Sequence, residues 1–179
     1  MTTNLTPLSS LQVTRQQIPP WRHNPNTSIQ HKPLSIYHGA FKPTATAFEI
    51  SQHLTKIGVV EPQWIYSMYP YSHLHTTTHE VLSIVSGKAK LCFGHEDNPE
   101  RFEAVVAIGD VIVVPAGLAH RLLEDIEGGF KMIGAYPRGK EWDMCYGSEE
   151  EGDKSAEIRK VSWFERDPLY GDRGPVLDM

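Results

Sequence analysis

The sequence predicts an all-β fold, a sandwich or small barrel with one flanking helix. Three observations predict it. From Ile65 onward short apolar runs are separated by turn signals at intervals of about eight to twelve residues. Several of those runs alternate, as in Lys88–Phe93, where Lys88 and Lys90 take one face and Ala89, Leu91 and Phe93 the other. One convincing helical pattern is present, with Ala47, Ile50, Leu54 and Ile57 on a common face.

Taken in order, residues 1–33 are polar and punctuated by Pro7, Pro19, Pro20, Pro25 and Pro33, which reads as an extended arm ahead of a single domain over residues 34–179. Leu34–Phe41 is a short strand ended by Gly39. Thr46 and Glu49 form a capping box for the helix and Gly58 stops it, so the helix lies across the outside of the sheet. Ile65–Tyr69 runs into Pro70, which breaks or kinks an edge. Val81–Ser86, Lys88–Phe93, Arg101–Ile108 and Val111–Val114 are strands, joined by Gly87, a hairpin loop at His95–Glu100 and a turn at Gly109–Asp110. Pro115–Gly117 turns the chain into a strand that starts at His120. In Phe130–Tyr136, Lys131 points out, so Phe130, Met132, Gly134 and Tyr136 face in. Residues 147–160 read as a solvated acidic loop, Val161–Phe164 as a returning strand or a plug, and the remainder as surface coil.

The chain has 179 residues and a net charge of -5, enough for one domain with a real core and no footprint for nucleic acid. No run is long and apolar enough to span a bilayer, and the first ten residues lack the basic start and apolar core of a secretory signal. Cys92 and Cys145 are too few for a disulfide framework, which points to a reducing, cytoplasmic setting. There is no serine-histidine-acid arrangement and no glycine-rich phosphate loop.

The chemistry concentrates in Ser72–Gly87 and Gly109–His120. His73 and His75 are two apart, so on a strand they leave the same face. Glu80 is an odd step beyond His75 and joins them only when Thr76–Thr78 loop or bulge. Glu80 shares its parity with Leu82 and Ile84 and therefore points inward, where a lone charge is costly and a divalent cation offsets the cost. His120 follows the Pro-x-Gly turn. The bland alternative is a set of strand histidines facing water and a surface carboxylate. His79 faces away from Glu80 and is a supporting or surface group. Tyr69, Tyr71, Tyr136 and Trp142 are candidates for the wall of a substrate pocket; Phe93 and Met132 read as core, and Arg138 and Lys140 as solvated charge.

These two stretches resemble the two signature motifs of the cupin superfamily. His73-Leu74-His75, four residues, Glu80, six residues and Gly87 match the first, and Gly109, Pro115, Gly117 and His120 the second. Ser67 and Glu124 stand where that pattern has glycine and asparagine. The run His79-Glu80-Val81-Leu82, with Gly134–Pro137 and Trp142-Asp143, is similar to a narrower group, the uncharacterised single-domain cupins of the YjlB type. The resemblance implies a jelly-roll β-barrel with one or a few flanking helices. It implies a divalent metal (Fe, Mn, Ni or Zn) on His73, His75, Glu80 and His120, with Glu80 as a candidate catalytic base. The expected function is a metal-dependent enzyme of dioxygenase, isomerase or decarboxylase type on a small polar molecule; the alternative is a non-catalytic module binding a metal and a small ligand. Open sheet edges and the arm suggest a homodimer.

Overall fold

The wholly apolar run Val111–Val114 is buried along its length, and the layering of the chain explains why. The computed structural model describes residues 4–179. They form strands β1 (Gln12–Gln16), β2 (Leu34–His38), β3 (Val60–Tyr66), β4 (Glu80–Ser86), β5 (Lys88–Phe93), β6 (Phe102–Ala107), β7 (Val111–Val114), β8 (His120–Asp125) and β9 (Lys131–Pro137). Helix α1 (Ala47–Ile57) lies between β2 and β3, and a short α2 (Ser155–Arg159) follows β9. One sheet has the order β1-β2-β7-β4-β9-β3 and the other β6-β5-β8. Every ladder among the described residues is antiparallel. This is an all-β jelly-roll barrel, as expected.

Alternate side chains of a strand point to opposite faces. Leu82 and Ile84 of β4, Ile112 and Val114 of β7 and Met132 of β9 point into the barrel, where they meet Leu91 and Phe93 of β5. Val81, Val111, Val113, Ile133 and Ala135 point the other way, into a second core with Ile50 and Leu54 of α1 and Phe164, Leu169 and Val176 of the C-terminal segment. A strand covered on both faces carries an unbroken apolar run, which is why Val111–Val114 shows no alternation.

Helix α1 forms as its caps require. The Thr46 hydroxyl accepts the Glu49 N–H at 3.2 Å, and the Glu49 carboxylate accepts the Thr46 N–H at 2.8 Å. Gly58 ends the helix at φ +75°, donating its N–H to Leu54. Ile50 and Leu54 are buried against the outer face of the sheet, worth about 2 kcal/mol each.

Three regions differ from expectation. The segment beyond Phe164 is not surface coil: Asp167, Leu169 and Val176 are fully buried. The Asp167 carboxylate accepts the N–H groups of Leu169 at 2.9 Å and Tyr170 at 3.1 Å and the hydroxyl of Tyr37 at 2.8 Å. This segment covers the outer sheet face, which would otherwise be wet. Residues 147–160 contain α2, whose Ile158 is buried beside Ala116. Strand β3 starts before Ile65, at Val60, and tolerates Pro62 because it is an edge strand with a register shift between Pro62 and Trp64. Of the stretch set apart as residues 1–33, the first three lie outside the described residues. From Gln12 on it lies along its own chain: β1 pairs with β2, and Ile18 and Asn26 are buried.

Candidate metal centre

The two motif stretches meet through their backbones. His73 and His120 exchange both N–H···O bonds, at 3.1 and 2.9 Å, and the carbonyl of His75 accepts the N–H of Gly117 at 2.8 Å. Leu74 is tied in the same way to Cys145, at 2.8 and 3.0 Å. His73 and His75 therefore leave one face of a short extended segment, and the chain bends at Thr76–Thr77 before β4 begins at Glu80. That bend corrects the odd step in spacing and brings Glu80 inward, opposite Val114 of β7.

The donor atoms of His73, His75 and His120 lie within 4.8 Å of one another, and all three residues are buried. Each ring is held by its other nitrogen. Nδ1 of His73 sits 3.0 Å from the carbonyl of Tyr71, that of His75 is 2.5 Å from Asp143, and that of His120 is 2.9 Å from Leu118. A carbonyl only accepts, so each Nδ1 carries the hydrogen, and in the neutral ring Nε2 keeps a free lone pair. Glu80 lies 3.4 Å from Nε2 of His75 and 3.2 Å from Nε2 of His120. It is outside the mutually close set of three rings. Its Oε1 accepts the Tyr136 hydroxyl at 2.8 Å, and that hydroxyl accepts the indole N–H of Trp64 at 2.9 Å. Its Oε2 is buried with no hydrogen-bond partner.

The electrostatics are those of buried donors. Burial, with His120 alongside, pushes His73 down to about 3, so its ring is neutral at neutral pH. Burial also pushes His75 down, but the Glu80 carboxylate outweighs it and the net shift is upward. Burial pushes Glu80 upward, and His75 and His120 outweigh it and hold the carboxyl well below its usual range. His79 points out of the barrel, as expected, yet it is buried under the C-terminal segment. Its Nδ1 accepts the N–H of Ala116 at 2.9 Å, its Nε2 donates to the carbonyl of Ser162 at 3.1 Å, and its ring meets Trp163 edge-on.

The cluster closes one end of a cavity of about 310 Å3. Of the residues expected in its wall, Tyr69, Tyr136 and Trp142 line it. Tyr71 does not. Its ring is turned toward solvent and stacks on Tyr69, with centroids 5.2 Å apart and planes at 13°. Trp64, Tyr66, Met68, Leu82, Met132 and Met144 also line the cavity. Met132 is thus wall as well as core. The inward parity shared with Glu80 is the one signal that could have placed Leu82 in the wall. Asp143, marked in the sequence only by the Trp142-Asp143 pair of the narrower resemblance, is the hub of the loop: its carboxylate accepts the N–H of Thr76 at 2.7 Å and its hydroxyl at 2.5 Å, and the hydroxyl of Thr77 at 3.2 Å.

The profile of the Cupin family matches residues 66–123. The uncharacterised protein YjlB of Bacillus subtilis (strain 168) is 34% identical over 149 residues, which cover 82% of this chain and 85% of that protein. Among solved structures, acireductone dioxygenase from Bacillus anthracis, with a cadmium ion in its active centre, is 17% identical with a TM-score of 0.43, over 78% of this chain and 84% of that one. A mutant of Bacillus subtilis oxalate decarboxylase is 19% identical with a TM-score of 0.35, over 64% of this chain; the alignment spans only 27% of the decarboxylase.

Proposed function

The chain belongs to the cupin family, in the group of YjlB, and on that premise we propose that it is a metal-dependent enzyme acting on a small molecule, with a divalent ion (Fe, Mn, Ni or Zn) held by His73, His75, Glu80 and His120. The carrying observation is the partnerless, buried Oε2 of Glu80 beside imidazoles whose Nδ1 hydrogens are already committed. A carboxylate facing neutral nitrogen lone pairs is unfavourable. Either a ring takes up a proton, or a cation satisfies the carboxylate and the rings together. Imidazole nitrogen with carboxylate oxygen is a donor set for a first-row divalent ion, so the residues fit it. When bound, such an ion supplies Lewis acidity and, if redox-active, oxygen chemistry of the dioxygenase kind.

The protein's own residues have separable roles. Carbonyls of Tyr71, Asp143 and Leu118 orient the rings. Tyr136 fixes Oε1 of Glu80 and leaves Oε2 toward the cluster, where Glu80 is the candidate base for a substrate proton. Aromatic and thioether side chains make up most of the rest of the wall. A second reading, a non-catalytic module that binds a metal and a small ligand, is favoured by one observation. Among the described residues of the lining, the acid or base candidates beyond the four proposed ligands are tyrosine phenols, and that of Tyr136 has its hydrogen committed to Glu80.

Elemental analysis of anaerobically purified wild type and His75→Ala is the test. Near-stoichiometric metal in the wild type, lost in the variant without loss of fold, is expected; wild-type metal content in the variant rejects the assignment. A homodimer, on the ground of the open edges at β1 and β3, and a cytoplasmic setting, on the ground of two unpaired buried cysteines, belong to the same proposal. No helix among the described residues is long and apolar enough to cross a membrane.

A further inference from the structure

The cavity has one polar end. The imidazoles of His73, His75 and His120, the Glu80 carboxylate and the Tyr136 hydroxyl form it. The rest of the wall includes Trp64, Met68, Leu82, Met132, Met144 and Trp142, whose ring lies 5.8 Å from that of His75. The indole N–H of Trp64 is committed to Tyr136. The other hydroxyls of the lining belong to Ser67 and to Tyr66 and Tyr69, whose rings are partly exposed. Among the described residues none of the lining side chains is a lysine or an arginine. Arg138, two residues beyond Tyr136, is exposed and paired with Glu61 at 3.2 Å.

Charge and shape then restrict the ligand. A carboxylate or phosphate lying against this wall would be desolvated with no counter-charge, and that is costly. A ring lying there removes apolar surface from water and meets indole faces and thioethers, which adapt to flat partners. A volume of about 310 Å3 leaves room for one ring with short substituents, near the lower bound of small-molecule pockets. Resting on the reading of the polar end as the metal centre, we propose that the cavity takes a molecule with one oxygen-bearing end seated at the His73–His75–Glu80–His120 cluster and an apolar, ring-containing body against Leu82, Met132 and Trp142. Compact diacids and phosphate esters are outside its range. The substrate is polar at one end only.

The test keeps the polar head constant and changes the body. Quenching of tryptophan fluorescence, to which Trp64 and Trp142 contribute, is followed on titration with acetohydroxamate, benzohydroxamate and 4-carboxybenzohydroxamate. Zinc-loaded and chelator-stripped protein are both used, with zinc content measured in parallel. Burial of the phenyl group is expected to make benzohydroxamate bind about tenfold tighter than acetohydroxamate. The added carboxylate erases that gain. Trp142→Ala, at a position 41% exposed and so tolerant of truncation, loses about fivefold more affinity for the phenyl probe than for the methyl probe, with zinc content measured in the same samples. Equal affinities of the methyl and phenyl probes, tighter binding of the carboxylated probe, or binding of no probe to either form overturns the proposal. Absence of bound zinc, or acetohydroxamate binding that zinc leaves unchanged, counts instead against the metal reading. The phenyl preference is then read on stripped protein, where its absence still overturns the proposal.

Discussion

The carbonyl of Asp143 accepts the Nδ1 hydrogen of His75 at 2.5 Å across a separation of 68 residues, while the carboxylate of the same residue grips Thr76. Ring and loop are thus held from one point on the segment after β9. Burial opposes ionisation of Asp143, but the Thr76 bonds outweigh it and hold its carboxyl below the usual range, so the grip persists in mild acid. Asp143→Ala removes the grip on Thr76 and Thr77 and frees the carbonyl to drift from His75. Outer partners of this kind are worth about 10- to 100-fold in metal affinity. The expected outcome is a loss of that size in zinc affinity by competition with a chelating dye, with the circular dichroism spectrum unchanged.

Gly134 and Trp64 are cross-strand partners in β9 and β3, and the indole lies where a side chain at 134 would go. A Cβ built on Gly134 falls 2.0 Å from the Trp64 ring. Gly134→Ala must therefore expel the indole, breaking its hydrogen bond to Tyr136 and loosening the anchor of Glu80. Overpacking of this sort costs about 1–3 kcal/mol. A lower urea midpoint with a red-shifted tryptophan emission is expected; Gly134→Ser behaves alike, because either Cβ meets the ring.

Much of the barrel is legible in the sequence because its determinants are local. Parity along Glu80–Ile84 and the two-residue step from His73 to His75 carry the direction of those side chains, whereas His120, 45 residues beyond His75, joins them only through the motif resemblance. The cover of the outer face is not local. Asp167 is buried because Tyr37, 130 residues earlier, needs an acceptor, and nothing near it marks the segment as core. The charged, glycine-rich stretch around it reads as coil, since its burial serves the sheet face and not a periodic element of its own. Tyr71 fails as pocket wall for a related reason. Its ring takes the stacking partner that Tyr69 offers.

Metal uptake releases protons. Burial lowers His75 and the Glu80 carboxylate, 3.4 Å away, outweighs it, so the ring keeps its proton to a higher pH than a free imidazole does. A cation displaces it, because a ligating imidazole must be neutral. His73, held at about 3 by burial and then by His120, has no proton to give. Zinc titration calorimetry near neutral pH, in buffers of different ionisation enthalpy, should show release of up to about one proton. The release should shrink as pH rises. Zinc affinity falls as pH is lowered through the same range.

His79 makes a second acid-sensitive device, on the outside of the barrel. Its two ring nitrogens are both used, one accepting from Ala116 and one donating to Ser162, which requires the neutral ring. Burial lowers it to about 4, with the Ser162 carbonyl opposing. In the unfolded chain it titrates near 6.5. Above that pH both states are neutral and the group leaves stability unaltered. Between about 6.5 and 4 the unfolded chain takes up the proton and the folded chain does not, so stability falls as pH falls. At about 1.4 kcal/mol per unit the loss approaches 3 kcal/mol by pH 4. Urea unfolding at a series of pH values should show this decline. In His79→Gln, which keeps much of the volume and has no titrating ring, the starting stability should be lower, because one side-chain amide cannot reproduce both bonds. The decline over that window should be correspondingly shallower. A variant whose pH profile runs parallel to the wild type would assign the acid sensitivity to another group.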